Sequence, residues 1–132
     1  MNIFVYGPLM FPEIIQAIIG RKISFRAGLL RGYVRVGVRD QPQAAMIPFP
    51  DTSTQGLVYL EVDKVALKNM DVYLGKFFDR VEVNIETDGG EWIEAETHVF
   101  KLSKRKLLSS KPWDEDEFRR KHLSKFIQVD VS

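Results

Sequence analysis

Residues 4–10 read FVYGPLM, and the way this stretch folds decides the architecture around it. Phe4, Val5 and Tyr6 continue a β-prone run that begins at Asn2, so residues 2–6 are expected to form a buried strand. Gly7 and Pro8 stop that run. Glycine reaches backbone conformations closed to other residues, and proline withdraws an N–H from any ladder. The apolar run resumes as Leu9-Met10, and Pro12-Glu13 then opens a helical pattern with Ile14, Ile15, Ile18 and Ile19 on one face. Gly20 is the stop for this helix. A tight loop is thus held between a buried strand and an amphipathic helix, and the question is whether it is a plain turn or a backbone cradle.

The rest of the chain supplies the partners. Residues 24–38 are long, β-rich and broken by Gly28, Gly32 and Gly37, which predicts one bent strand or two strands around a bulge. AAMIPFP (44–50) predicts a short strand ended by prolines, with residues 51–54 as a turn. GLVYLEV (56–62) predicts a further strand. Asp63 can then cap a helix whose apolar positions are Val65, Leu67, Met70 and Val72. In RVEVNIET (80–87), Val81, Val83 and Ile85 alternate with polar residues, and Asp88-Gly89-Gly90 is a hairpin signal. WIEAETHVF (92–100) follows, with Ile93, Ala95, Thr97 and Val99 on one side and His98 on the polar side.

The closing segment PWDEDEFRRKHLSKFIQ (112–128) predicts a helix that docks on the sheet. Asp114 is the N-cap with Glu117 three residues on, and Trp113 and Phe118 occupy the staple positions. Acidic residues fill its first turn and basic residues its later ones, complementing the helix dipole. Phe118, His122, Leu123 and Phe126 share a face. In all, six or seven mostly antiparallel strands and two or three helices are expected. The fold class is α+β, a compact mixed β-barrel or bent sheet, built as a single domain over residues 1–132.

Composition narrows the function. The chain has 132 residues and a formal net charge of +1, so no global field favours nucleic acid or an anionic membrane. Cysteine is absent, which excludes disulfides, thiolate metal sites and a cysteine nucleophile. No run approaches the roughly 18 apolar residues that span a bilayer. The N-terminus has neither a basic start nor a signal-peptide cleavage site, so a cytoplasmic location is expected.

Known cofactor signatures are missing too: there is no GxxxxGK[ST], GxGxxG or HExxH. His98 and His122 are the only histidines, and both are read as structural, so neither metal nor cofactor is expected. Lys101, Lys104, Arg105, Lys106 and Lys111 are read as a solvated basic face, since four acids follow at once. Glu94 and Glu96 are read as solvent-facing charge.

Two stretches remain for chemistry, FVYGPLM and MDVYLGKFFDR (70–80). With their flanks they carry a resemblance. Phe-Val-Tyr-Gly-x-Leu-Met resembles the signature of the gamma-glutamylcyclotransferase-like superfamily, and the avirulence-induced-gene-like branch is the most similar. That branch continues with a Pro-Glu helix (here FPEIIQAIIGRKI), an aliphatic-Pro strand (AAMIP) and a GxVY-type strand (GLVYLEV). A Leu-Asp-x-Phe-Glu…Tyr-x-Arg motif follows (MDVYLGKFFDR), then an EAETYVW-like strand (EAETHVF) and a Trp-Asp…Phe…His-Leu…Phe helix (WDEDEFRRKHLSKF). Order and spacing hold over nearly the whole chain.

The resemblance implies an α+β barrel with a pocket beside the Tyr-Gly loop. Relatives of this kind cyclise a gamma-glutamyl group to 5-oxoproline and release an amine or amino acid. Loop N–H groups cradle the substrate, and a glutamate of the second motif takes the proton from the α-ammonium so that nitrogen attacks the γ-carbonyl. A carboxylate desolvated in a pocket suits that task, and fixed donors stabilise charge without reorganising.

Carried over position by position, Tyr6, Gly7, Pro8, Leu9 and Met10 form the loop side, and Leu74, Phe78 and Arg80 the other. Leu74 stands at the position of the glutamate, Phe78 at that of the tyrosine, Pro8 at that of a serine or threonine, and Gln43-Ala44 at that of a Tyr-Pro pair. Pro8 loses a hydroxyl and an N–H, leaving the N–H groups of Gly7, Leu9 and Met10 as loop donors. No residue is assigned as catalytic; Asp71, Asp79 and Glu82 are weak substitutes for the missing acid.

Three readings follow: a catalytically impaired relative that binds a small molecule, an active cyclotransferase with a relocated acid, and a protein-interaction scaffold. The first ranks ahead, with a gamma-glutamyl-like or more apolar ligand, no nucleic acid or membrane partner, and a monomer or weak homodimer.

Overall fold

A computed structural model describes residues 1–124. Five strands close into a barrel in the order β1-β3-β2-β4-β5: β1 (Ile3–Val5), β2 (Phe25–Val38), β3 (Gln41–Tyr59), β4 (Phe78–Thr87) and β5 (Trp92–Phe100). β1 runs antiparallel to β3 and parallel to β5, and every other pairing is antiparallel. The helices are α1 (Pro12–Ile19), α2 (Lys64–Leu74) and α3 (Glu115–Lys121), with 3₁₀ turns at Pro8–Met10 and Leu102–Leu107. This is the expected α+β barrel.

Five strands do the work of the six or seven expected, because two of them are long. β2 stays continuous for 14 residues and β3 for 19. Closure requires such strands to bend, and the bend is made where turn residues had suggested an end. Arg31 pairs with Ser53, but the next pairing joins Tyr33 to Pro48, so residues 49–52 stand opposite Gly32 alone. Gly32 and Asp51 take the left-handed region at φ 87° and 62°, and Thr52 Oγ1 donates to the Phe49 carbonyl at 2.7 Å. The turn chemistry of residues 51–54 thus makes an excursion inside the strand.

The core holds Ile3, Phe4, Met46, Val58, Met70, Ile85 and Thr97, all with essentially no exposure. Thr97 satisfies its hydroxyl by donating to the Phe4 carbonyl at 2.9 Å. At Gly56 the β1 backbone comes so close that a Cβ would lie 2.2 Å from the Val5 carbonyl oxygen. Only glycine permits that approach.

Helix packing corrects two positions. Asp63 caps α2 as expected, accepting from the Ala66 N–H at 2.8 Å. However, Val65 and Val72 are each 72% exposed. Seven residues apart, they share one helical face, and the buried face is Ala66, Leu67 and Met70, with Leu74 partly covered. In α3, Asp114 accepts from the Asp116 and Glu117 N–H groups. Phe118 is buried with its ring centroid 5.2 Å from Phe11 and 5.8 Å from Trp113, so this helix docks as expected. Phe126 lies outside the described residues.

Candidate functional site

β1 delivers the loop, and the loop's carbonyls fix it. Tyr6 O accepts from Arg35 Nη1 at 2.8 Å, and Gly7 O from the Met10 N–H at 2.9 Å. Pro8 O accepts from the Phe11 N–H at 3.1 Å, and Leu9 O from the Tyr59 hydroxyl at 2.7 Å. Four successive carbonyls are thus engaged on one side. The N–H groups of Gly7 and Leu9 are the donors that the turn leaves over, Pro8 having none. The Met10 N–H, expected as a loop donor, closes the 3₁₀ turn instead. Gly7 is required by contact: a Cβ there would stand 2.8 Å from the Ala44 Cβ of β3.

Two buried tyrosines anchor this arrangement. Tyr6 donates to the His98 carbonyl at 2.7 Å, and burial pushes its phenol well above the ordinary range. Burial acts the same way on Tyr59. Arg35, which holds Tyr6 O, lies 5.4 Å from the centre of the Trp113 ring. Burial lowers its pKa, with Glu115 opposing the shift. The segment leading into α3 therefore braces the loop through Arg35.

Tyr6, Gly7, Pro8 and Leu9 line one wall of a narrow cavity. Its other walls are Ala44 from β3, Leu74 at the end of α2 and His98 from β5. The cavity measures about 20 Å³, the room of about one water molecule. Its lining side chains are apolar except for His98 and Tyr6, whose hydroxyl is taken up by the His98 carbonyl. A larger open trough of about 800 Å³ runs elsewhere, past Glu82, Glu94 and Glu96 on the outer face of β4 and β5. It is a wide surface groove remote from the loop, so the smaller cavity is the candidate site.

The remaining predicted residues lie apart from this cavity. Met10 faces a separate groove with Arg35, Gln55 and Glu115. Phe78 packs edge-on against Phe100 at 5.2 Å in a second apolar cluster. Asp79 stands 3.6 Å from Lys101, and Glu82 is exposed on the outer trough. Asp71 and Arg80 join a charged chain behind Leu74: Arg80 Nη1 donates to Asp71 Oδ2 at 3.1 Å. Arg80 Nε also approaches Glu96 Oε1 at 2.7 Å, an ion pair without hydrogen-bond alignment. Glu96 is consequently half-buried rather than solvent-facing, while Glu94 is exposed.

His98 ends that chain, on the strand face expected of it but buried there, which the sequence pattern does not show. Its Nε2 lies 2.6 Å from Asp71 Oδ1, and the residue is only 3% exposed. The alternation along β5 did put it on the face away from Ala95 and Thr97, but the end of α2 covers that face. Burial lowers its pKa, and the hydrogen bond and charge of Asp71 oppose that without reversing it. A signal was available: a hairpin centred on Gly89 pairs Arg80 with His98.

A barrel closed through a parallel β1–β5 pair, with a Tyr-Gly loop over a small cavity, defines the class of protein. Residues 3–115 match the family model for gamma-glutamyl cyclotransferase, AIG2-like, and the chain belongs to that family. It is 29% identical to protein AIG2 C of Arabidopsis thaliana over 97% of this chain and 78% of that one. With AIG2-like protein B of the same plant the identity is 28%, over 97% and 74%. Among solved structures, an Arabidopsis thaliana solution structure superposes with a TM-score of 0.74 at 28% identity, covering 97% of this chain and 78% of the other. A structure titled gamma-glutamyl cyclotransferase superposes with a TM-score of 0.69 over 98% and 86%; at 16% identity this likeness speaks for the fold.

Proposed function

We propose that this protein is a catalytically impaired member of the family that keeps the backbone cradle and binds a small, largely apolar molecule in the Tyr6–Leu9 cavity. The observation that carries this reading is the position of Leu74. It lines the same cavity as the loop, and the spacing from Asp71 to Arg80 is what assigns it to the position of the family's glutamate. Leucine cannot take a proton from an α-ammonium, and loss of a general base alone lowers a rate by roughly 10² to 10⁴.

The substitutes support the same reading. Asp71 is engaged by His98 and Arg80, Asp79 faces Lys101, and Glu82 lies on the outer trough, so none of these carboxylates lines the cavity. The cavity's width sets the ligand: beyond a few atoms, a molecule enters only as Leu74 turns aside. A cytoplasmic setting fits such a role.

Folded protein incubated with gamma-glutamyl amino acids and gamma-glutamyl amines, assayed for 5-oxoproline, tests the proposal. No product above the buffer control is the expected result. Turnover on any of these substrates would instead favour the active enzyme with a relocated acid.

A further inference from the structure

A net charge of +1 hides an asymmetry that the fold creates. At one end of the barrel β2 and β5 finish and β3 and β4 begin, and the 3₁₀ turn Leu102–Leu107 lies there. None of its six residues is buried, and three of them are Lys104, Arg105 and Lys106. Arg39 is fastened to the same segment: its N–H donates to the Leu107 carbonyl at 2.8 Å and its Nε to the Leu108 carbonyl at 3.0 Å. Lys76, just past α2, joins them, since its Nζ and that of Lys104 each lie 5.6 Å from the centre of the Phe77 ring. Among the described residues, no carboxylate pairs with Arg39, Lys76, Lys104, Arg105 or Lys106. Lys101 beside them is held by Asp79, and Lys111 shares a groove with Asp114 and Glu117. The four acids that follow in sequence do not neutralise the patch. Asp114 caps α3, and Glu115, Asp116 and Glu117 pair with Arg119 and Lys121.

Leu102 and Leu107 belong to the same turn and are 54% and 40% exposed, whereas the next residue, Leu108, is buried in the cluster of Phe78 and Phe100. Unpaired cations beside exposed leucines are the chemistry of segments that rest in a membrane interface. We infer that this end of the barrel docks on an anionic bilayer surface, its five unpaired cations at the lipid phosphates and Leu102 and Leu107 in the interface. The expectation of no membrane partner rested on net charge. A bilayer acts on charge within about one Debye length, some 8 Å at physiological salt, so the local cluster governs instead. Other polyanions fit less well. A strand of nucleic acid is held by free aromatic faces or a groove. Here the turn is wholly exposed, and Phe77 is half-buried with Lys76 and Lys104 already over its ring. A polyanion without an apolar phase answers the charge but leaves both leucines in water.

The test is co-sedimentation of the full chain with vesicles. Binding to equimolar phosphatidylcholine and phosphatidylserine, and not to phosphatidylcholine alone, is expected, with release at high salt. Lys104→Gln/Arg105→Gln/Lys106→Gln should weaken binding by more than about tenfold, each cation near the surface being worth about fivefold. Lys22→Gln/Lys64→Gln/Lys68→Gln removes the same charge outside the patch and should bind as wild type does. Leu102→Ser/Leu107→Ser keeps every charge and should weaken binding about threefold to tenfold. All of these positions are exposed, so circular dichroism should report an unchanged fold.

No sedimentation with the anionic vesicles, or equal sedimentation with both kinds, overturns the inference. Equal loss in the two triple variants overturns it as well, because overall charge would then be responsible. A leucine variant that binds as wild type does, or duplex DNA or poly-glutamate bound as tightly as the vesicles, would make this a general polyanion surface and refute the membrane assignment.

Discussion

The cavity has two walls built on different principles. One is the Tyr6–Leu9 loop, made of backbone and locked by four engaged carbonyls. The other is the end of α2 with β5, where Leu74 and His98 contribute side chains. A backbone wall survives substitution of most residues as long as glycine stays where chains touch. A side-chain wall changes its chemistry with one codon. Under the proposed function, that difference is what lets the chain keep the family's cradle and fold while its reacting group is replaced.

The largest expected effects come from breaking the contacts that the backbone wall needs. Gly7→Val drives a branched side chain into Ala44, and Gly56→Ala places a methyl against the Val5 carbonyl. Each should lower stability by about 3 kcal/mol, in the range of severe overpacking, and urea denaturation followed by circular dichroism would read it. Equal stability of both variants with wild type would show that the loop is not held by these approaches.

Next in size is Tyr59→Phe, which removes the hydroxyl from a buried carbonyl of the loop. It should cost about 1–2 kcal/mol, because Leu9 O is left without its partner. In the same variant, hydrogen exchange at Leu9 and Met10 should quicken more than exchange in β4.

The side-chain wall should answer differently. Leu74→Ala removes a partly buried side chain, so its destabilisation should stay near 1 kcal/mol, below that of a fully buried leucine. The space gained should let larger apolar probes shift the Leu9 methyls than the wild-type cavity admits. An unchanged size limit would mean that Leu74 is not what narrows the cavity.

The smallest effect is on pH. Burial depresses the His98 pKa in the folded state, so below about pH 6.5 the unfolded chain binds the proton more readily. This stabilising contribution is fully present above that value and declines as pH falls toward the folded pKa. Denaturation midpoints should drop between about pH 7 and pH 5, and the part due to His98 should be missing in His98→Gln. An identical slope in the variant would place the titration elsewhere.

The fold was largely legible because its signals are local. The Gly-Pro break, the Asp63 and Asp114 caps and the Asp88-Gly89-Gly90 hairpin each act within a few residues, and each forms as expected. Strand count failed where tertiary closure overrode local chemistry. Prolines and Asp51 bend β3 without ending it, because the barrel demands a continuous edge to pair with β2. The site was half legible. Leu74 could be placed by spacing from Asp71 to Arg80, but burial of His98 depends on α2 folding across β5, a contact between residues 27 apart in sequence. No strand alternation encodes that.

If the cradle persists and the base is gone, as the proposed function holds, restoring the base should restore chemistry. Leu74→Glu should be assayed beside wild type for 5-oxoproline release from gamma-glutamyl amines and amino acids, with folding of both checked by circular dichroism. No turnover is expected of wild type, and measurable product is expected from Leu74→Glu. Turnover by wild type that falls in Leu74→Glu would contradict the proposed function.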